Sequence, residues 1–498
     1  MKSTKIIGFI TLSSAVLSFY FGALSAEANV LPTGNFPAVS SSSPVDMAYH
    51  QVAYQDLKTP DSKRVPSEFD NMHNYEVLLP FFEKLNGLEN FNDRKINIVH
   101  IGDSHIQADA MTNVIRQQLQ SKFGNAGLGF VFPYSLMRTN GGRNVRFSSN
   151  IAWENQKITE TKDFSNIGLS GYSFTTRNKN FLIEIEVKNQ EYNFNTLKII
   201  TPNNQQMFEL ATSNGTIPLK PSQPKSISHK IKKGETLYAI AKKHKTTVTK
   251  IQQANKLKTT KIKIGSTLKI PTTEMEPQAV DMTNFNIIST PNSVFTYYMY
   301  ENLNVSDRIY LTPNPQNNHF SLNGLVLENN KSGIIYHNIG VNGVRLSDYN
   351  KSQLFFQQLK ALEPDLIIIS LGTNESFGKW SAEEFYAQTE RFMEAIRANY
   401  GQLPIILTTP PPSLFKKQDV NPYPANYANT LINKSITGEY ATFDLHKAMG
   451  GDDTMTRLIN QNLIARDRIH YTASGYEEQG FLFFQSLINN YEKTKIIN

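Results

Sequence analysis

Continuous apolar runs that alternate with amphipathic helices constrain the fold of this chain more than any other feature of its sequence. Three such runs are Ile96–Ile101, Asp365–Ser370 and Ile405–Thr408, and helical spacing of apolar residues precedes the second and third over 346–362 and 382–399. Strands that are apolar on both sides must be covered on both faces, as in a parallel sheet between two helical layers. The sequence therefore predicts an α/β fold.

The middle of the chain has a different pattern and interrupts this framework. From about Gly124 to Leu327 it is rich in Asn, Thr, Ser and aromatic residues, and it shows strand-like alternation such as Ile183–Val187. We predict that this segment is an insertion that forms a β-sandwich domain. The predicted domain limits are 71–124 and 333–498 for the two parts of the α/β domain, and 125–227 and 272–332 for the two parts of the insertion.

The N-terminal segment predicts export. Lys2 and Lys5 precede an apolar run from Ile6 to Leu24, and small residues follow up to Ala28. This is the layout of a secretory signal peptide over 1–28, and the Ser-rich stretch over 29–70 predicts a linker. An uncleaved membrane anchor is the alternative, because the apolar run approaches the length of a spanning helix. We expect a periplasmic, envelope-associated or secreted protein with no membrane span once the signal is cleaved.

Cysteine usage and charge exclude several classes of function. The chain has no cysteine, which excludes disulfides, thiolate catalysis and cysteine-ligated zinc. Twelve lysines and one acidic residue lie between Ser228 and Pro271, so this segment carries a formal charge of +11 and the rest of the chain −4. A nucleic-acid partner is therefore not predicted. The basic segment either favours anionic envelope polymers or is a solvated lysine-rich surface.

The same basic segment, 228–271, has the pattern of a small βααβ domain. Lys233-Gly234-Glu235-Thr236 ends a strand, and Thr236 can cap the helix that follows. Leu237, Ile240 and Ala241 share one face of that helix, and Asn255 ends a second one. This pattern resembles a LysM domain almost from end to end.

The LysM resemblance implies binding to N-acetylglucosamine-containing glycans, with peptidoglycan as the first candidate partner. A packing module that has lost its ligand is the alternative. The resemblance implies that the glycan-binding residues include Gly234, Glu235, Thr236, Leu237 and Asn255.

Four short blocks in the α/β segments carry the residue types of a serine hydrolase. Gly102-Asp103-Ser104 directly follows the first apolar strand, and an Asp467-Arg-Ile-His470 block precedes the last predicted helix. Serine is a poor nucleophile until a base takes its proton, and histidine side chains, with an ordinary pKa of about 6.5, can do so near neutrality. The sequence therefore predicts Ser104 as nucleophile, His470 as base and Asp467 as the group that orients the imidazole.

Together with Gly340-Val-Asn-Gly343 and Gly372-Thr-Asn374, these blocks resemble the four ordered sequence blocks of the SGNH/GDSL hydrolases. The resemblance implies a three-layer sandwich with a parallel sheet, interrupted by the insertion. It also implies an oxyanion hole formed by the backbone N–H groups of Ser104 and Gly343 and the side-chain amide of Asn374. The long gap between the first two blocks departs from the family pattern, and the insertion accounts for it.

The Gly-Asp-Ser-His start followed by a large β insertion resembles the peptidoglycan O-acetylesterases. The expected function is an exported carbohydrate O-acetylesterase that acts on cell-wall glycan and needs no cofactor or metal. The alternatives are a non-catalytic LysM wall-binding protein with an SGNH scaffold, and an esterase or acetyltransferase of another polysaccharide. A metal phosphoesterase is disfavoured because the Gly-Asn-His block of that class is missing, and an α/β-hydrolase because no Gly-x-Ser-x-Gly occurs.

Overall fold

Buried parallel strands form the centre of the molecule in the computed structural model, which describes residues 71–213, 215, 217–288, 291–304 and 307–497. The predicted signal peptide and the predicted linker up to residue 70 lie outside the described residues. The central sheet has, in spatial order, strands β1 (Met72–His73), β23 (Ala441–Phe443), β20 (Ile405–Thr408), β19 (Leu366–Ser370), β2 (Lys95–Gly102), β18 (Gly333–Gly340), β3 (Asn125–Val131), β17 (Gly324–Glu328), β8 (Thr196–Ile200), β14 (Tyr298–Tyr300) and β13 (Asn292–Ser293).

The six strands from β23 to β3 pair in parallel, and their register aligns the strand ends that carry the predicted site. Gly340 of β18 and Ser370 of β19 both lie level with Gly102 of β2.

The helices are α1 (Leu79–Phe91), α2 (Ser104–Gln107), α3 (Ala110–Phe123), α4 (Leu237–Lys243), α5 (Val248–Ala254), α6 (Leu346–Tyr349), α7 (Gln353–Gln358), α8 (Thr373–Phe377), α9 (Ala382–Tyr400), α10 (Tyr423–Lys434), α11 (Leu445–Ala448), α12 (Met455–Asn460) and α13 (Ala473–Ile497).

Helices cover both faces of the parallel sheet because successive strand residues point to opposite sides. Val99 and Ile101 belong to the core shared with α6, α7, α9 and α10. Ile96 and Ile98 belong to the other core, which contains residues of α1, α3 and α13. The predicted α/β three-layer fold is confirmed. Among the described residues, no helix combines the length and apolar character that a membrane crossing requires.

The predicted insertion is not a β-sandwich that stands apart from the α/β sheet. Strands β3, β17, β8, β14 and β13 come from it, and they continue the central sheet beyond β18. Alternating residues predict strands but not their partners, and without β3 the long strand β18 would be an exposed edge. The predicted domain limits stay a prediction, but the boundary at residue 124 falls within one continuous sheet.

The remaining strands of the insertion form smaller sheets that share the α6–α10 core. One sheet has the order β12 (Phe285–Ile287), β9 (Phe208–Ser213), β15 (Arg308–Pro313), β7 (Ile183–Val187) and β4 (Val145–Ser149), and another has β16 (Phe320–Ser321), β6 (Tyr172–Thr176) and β5 (Glu154–Lys157). A short hairpin, β21 (Leu414–Phe415) and β22 (Asp419–Val420), lies within the second α/β part.

The lysine-rich segment folds as the predicted βααβ domain. Strands β10 (Gln223–Lys230) and β11 (Thr267–Glu276) pair antiparallel, with α4 and α5 between them in the chain. Thr236 caps α4, since its side chain accepts a hydrogen bond from the N–H of Ala239 at 3.1 Å. The domain has its own small core: Ile231, Leu237, Ile240, Ala241, Ile251, Leu268 and Ile270.

Because this core is small, the loss of one large side chain should open the whole domain. Ile251 is fully buried, and replacement of a buried isoleucine by alanine costs about 2–5 kcal/mol. We expect Ile251→Ala to make residues 228–271 sensitive to protease, measured by limited proteolysis and mass spectrometry. Ile264→Ala is the matched control, because that side chain is 61% exposed. Equal protease resistance of the two variants would contradict this account of the core.

Candidate active site

Ser104 lies where three neighbouring parallel strands end, and a short helix begins at this residue. Asp103 caps that helix, because its Oδ1 accepts a hydrogen bond from the N–H of His105 at 2.9 Å. The preceding residue must be small, since a Cβ on Gly102 would lie 2.8 Å from the carbonyl oxygen of Ser370. The close packing of β2 on β19 therefore determines where the Ser104 hydroxyl emerges.

Ser104, His470 and Asp467, predicted from two blocks at opposite ends of the α/β segments, meet in one hydrogen-bonded chain. Ser104 Oγ lies 2.9 Å from His470 Nε2, and His470 Nδ1 lies 2.8 Å from Asp467 Oδ2. If Nδ1 carries the proton, Nε2 is free to accept from the serine hydroxyl. This arrangement is able to move a proton from Ser104 to His470, as a serine nucleophile requires.

The loop before α13 holds Asp467 and His470 in this geometry. Asp467 Oδ1 accepts hydrogen bonds from the N–H groups of Ile469 and His470, both at 3.0 Å, while Oδ2 faces the imidazole. Burial raises the pKa of Asp467, but the hydrogen bonds from the ring and backbone of His470 and from Ile469 outweigh it and hold the pKa below its usual value. Asp467 is therefore ionised near neutral pH.

The reacting groups are open to solvent. The side chains of His470 and Asp467 are 42% and 45% exposed, and Ser104 is half-buried. A substrate can therefore reach the serine hydroxyl without a change in the surrounding fold.

Gly343, a predicted oxyanion donor, lies on an exposed turn after β18. Its φ is +75°, a conformation that favours glycine, and no protein atom lies within 4 Å of the place where a Cβ would stand. The turn thus leaves room for a substrate oxygen beside the backbone. Its role in an oxyanion hole stays a prediction.

Asn374, the third predicted donor, lies beside the nucleophile segment, and its amide already has partners. Its Nδ2 donates to the carbonyl of Val344 at 3.0 Å and, more weakly, to Asp103 Oδ2 at 3.3 Å. The next residue, Glu375, is buried and accepts from the N–H of Leu346 at 2.8 Å. Burial raises the pKa of Glu375 to about 7. The hydrogen bonds of Asn374 and Glu375 therefore connect the third sequence block to the chain that follows the second block.

A buried polar network around Gln107 holds the Gly343 turn, and the sequence did not reveal it. Gln107 Oε1 accepts from the N–H of Asn342 at 2.7 Å and from the Tyr172 hydroxyl at 3.0 Å. Its Nε2 donates to Thr139 Oγ1 at 3.0 Å and to the carbonyl of Asn140 at 2.7 Å. The sequence feature that could have indicated this role is the position of Gln107, three residues after the predicted nucleophile Ser104. Tyr172, Thr139 and Asn140 come from the insertion and Asn342 from the second α/β part, so no local pattern connects them.

The predicted glycan-binding residues of the LysM domain fall into two groups. Gly234 and Thr236 are exposed, whereas Leu237 is in the core. Glu235 Oε2 accepts from His229 Nε2 and from the N–H of Lys232, both at 2.8 Å. The Asn255 amide donates to the carbonyls of Ile251 and Lys269 and accepts from the N–H of Lys269. Leu237 and Asn255 thus hold the domain together, and the exposed turn is the part that a glycan can contact.

Asp103 and His105, which have the spacing of an Asp-x-His metal-ligand pair, bind each other. Asp103 Oδ1 lies 2.9 Å from His105 Nδ1. Within the described residues, no group of three or more His, Cys, Asp and Glu side chains is arranged to hold a metal ion.

Comparisons with known proteins agree with this fold. The sequence model of the GDSL-like Lipase/Acylhydrolase family matches residues 318–478, and that of the LysM domain matches residues 229–271. No curated protein sequence matches the chain. A solved structure titled "Peptidoglycan O-acetylesterase in action, 5 min" is similar over 83% of this chain and 96% of its own, with 17% identity and a TM-score of 0.53.

The chain therefore has the fold of a GDSL-like acylhydrolase with a LysM domain. The predicted family resemblance is confirmed, and the likeness to the O-acetylesterase structure extends through most of the predicted insertion, since it covers 83% of this chain. Two further structures cover about a third of the chain. They are a lipase/acylhydrolase from Enterococcus faecalis (19% identity, 32% of this chain and 77% of its own, TM-score 0.26) and an acetylxylan esterase from Geobacillus stearothermophilus (18% identity, 32% and 74%, TM-score 0.27).

The Gln107 network predicts a specific loss of activity in this acylhydrolase fold. Gln107→Leu removes the acceptor for the Asn342 N–H, so the Gly343 turn should shift, and misplacement near 1 Å can cost on the order of 10²-fold in rate. We expect kcat for p-nitrophenyl acetate to fall while the protein stays folded. Gln120→Leu is the matched control, because that buried amide donates to the carbonyls of Gly127 and Ile334, which are not part of the Gly343 turn. Equal kcat losses in both variants would contradict a role for Gln107 in positioning.

Proposed function

We propose that the chain is an exported serine esterase that removes O-acetyl groups from cell-wall glycan, with peptidoglycan as its first candidate substrate. The observation that carries the proposal is the hydrogen-bonded chain from Ser104 through His470 to Asp467. A non-catalytic scaffold would be under no constraint to keep this geometry.

In the proposed reaction, Ser104 Oγ attacks the acetyl carbonyl as its proton passes to His470 Nε2. The ester C–O bond then breaks, the sugar oxygen takes that proton, and an acetyl group remains on Ser104. A water molecule, deprotonated by His470, attacks the acetyl-enzyme. The bond between the acetyl carbon and Ser104 Oγ then breaks, His470 returns the proton to Oγ, and acetate is released. Asp467 keeps the imidazole oriented and stabilises its positive charge.

Negative charge develops on the carbonyl oxygen in both steps and needs fixed donors. The proposed donors are the N–H groups of Ser104 and Gly343 and the Asn374 amide. The 3.3 Å bond from Asn374 to Asp103 is the weaker of its two contacts, and an oxyanion would compete for it. Loss of one donor of this kind typically lowers kcat by about 10²–10³-fold.

The LysM domain and the likeness to the O-acetylesterase structure support a wall-glycan substrate. A domain that binds glycan raises the concentration of ester groups at a tethered site, often to the order of millimolar. The predicted signal peptide agrees with action outside the cytoplasm.

The first test is hydrolysis of p-nitrophenyl acetate by the purified protein. We expect Ser104→Ala to abolish turnover and Asp467→Asn to lower kcat by about 10⁴-fold, as loss of the orienting carboxylate does in a serine protease triad. Ser165→Ala, at an exposed serine of the insertion, should leave kcat unchanged. Full activity of Ser104→Ala would refute the proposed mechanism.

The substrate is tested by release of acetate from O-acetylated peptidoglycan, with base-treated peptidoglycan as control. Release from the first alone supports the proposal, and equal release from both, or from neither, contradicts it.

The role of the LysM domain is tested by a pull-down on insoluble peptidoglycan. Residues 227 and 272, which flank the deletion, adjoin the cross-strand pair of Ser226 and Pro271, so a short Gly-Ser linker can replace residues 228–271 with little strain. We expect this variant to lose binding to peptidoglycan and to keep its kcat for p-nitrophenyl acetate. Undiminished binding would show that another part of the chain binds peptidoglycan.

A further inference from the structure

His105, directly after the nucleophile, is buried with a hydrogen-bond acceptor at each ring nitrogen. Nδ1 lies 2.9 Å from Asp103 Oδ1, and Nε2 lies 3.3 Å from the carbonyl oxygen of Ile469. A neutral imidazole has one N–H and one acceptor nitrogen, so it satisfies only one of these two partners. Both contacts are satisfied when both nitrogens carry protons.

The surroundings of His105 favour the charged ring. Burial lowers the pKa of His105, but the charge and hydrogen bond of Asp103 and the Ile469 carbonyl outweigh it and raise the pKa above its usual value. Asp103 is buried as well, so the imidazolium and the carboxylate neutralise each other without solvent.

The same ring contacts the proposed base and the loop that carries it. The rings of His105 and His470 stack with centroids 5.2 Å apart and planes at 29°. Ile469, whose carbonyl accepts from His105, immediately precedes His470. One side chain therefore joins the nucleophile segment to the loop before α13.

We propose that His105, as an imidazolium paired with Asp103, is a positioning residue that fixes the His470 ring against Ser104 and opposes premature protonation of that ring. The inference rests on the proposed esterase function and goes beyond it, because neither the triad nor the oxyanion donors require a second histidine. A cation stacked on a neutral imidazole is attracted to it, whereas a second cation is repelled. The stack therefore favours the neutral form of His470 that accepts the serine proton, and Asp467 compensates the charge that forms during turnover.

The titratable groups that face His105 are few. Asp103 lies on its own segment, Asp467 and His470 lie on the loop before α13, and Tyr476 lies on α13 with its ring edge toward His105. Burial raises the pKa of Tyr476, so that group stays neutral in the working range. Removal of the His105 charge therefore leaves the Asp103 carboxylate without its cationic partner, and this carboxylate and Asp467 both favour a proton on His470.

The test compares His105→Phe and His105→Gln with the wild type in pH–rate profiles on p-nitrophenyl acetate. Phenylalanine keeps a ring in the stack and removes both N–H donors, whereas glutamine keeps a neutral amide. We expect the acid limb of kcat/KM to move to higher pH by about one unit in both variants, since one charge about 5 Å away is lost. The plateau kcat should fall by about 10-fold or more in His105→Phe, because His470 is less well held.

His446→Gln is the control for loss of a buried histidine. His446 also pairs with an aspartate, Asp452, at 3.0 Å, and it should leave the profile unchanged. Nitrogen-15 NMR of histidine-labelled wild-type protein provides a readout apart from activity, in which His105 should keep two protons at a pH above the ordinary histidine pKa of about 6.5.

An unshifted acid limb in both His105 variants, or a singly protonated His105 at that pH, overturns the inference while the esterase proposal stands. Full activity of Ser104→Ala would instead contradict the esterase proposal. It removes the proposed function, whereas the protonation state of His105 is still measured by NMR.

Discussion

The parallel register of β2, β18 and β19 is the constraint on which the rest of the structure depends. Gly340 and Ser370 are both level with Gly102, so three chain segments leave the sheet at one edge and at one height. Ser104, the Gly343 turn and Asn374 follow these strand ends, although they are far apart in sequence. Hydrogen-bonded pairing of buried strands permits little slippage, because a shift of one residue would turn every apolar side chain to the other face.

Hydrogen bonds of polar side chains connect the loops that follow the ends of these strands. Gln107 joins the helix after the nucleophile to the Asn342 backbone, and Asn374 joins Val344 to Asp103. Asp467 organises the His470 loop through two backbone N–H groups. Buried polar groups of this kind are costly when unpaired, so each satisfied contact favours one arrangement of the loops over the alternatives.

The insertion contributes more to the site than a separate domain would. Its strands extend the central sheet, and its residues Thr139 and Asn140 accept hydrogen bonds from the Gln107 side chain. The LysM segment differs, because it has its own core and joins the rest through paired strands at its base. One inserted region therefore contains both a part that contributes to the site and a part that has a hydrophobic core of its own.

The sequence by itself determined the α/β class and the βααβ segment and led to the prediction of Ser104, Asp467 and His470 as catalytic residues, because apolar periodicity, caps and short ordered blocks are local properties of the chain. Only the tertiary structure decided which strands the insertion joins, that Gln107 holds the Gly343 turn, and that His105 stacks on His470. Alternation predicts a strand but not its partner, and a polar side chain does not reveal what it will meet after folding. The physical reason is that these contacts join residues tens or hundreds of positions apart, where no spacing rule applies.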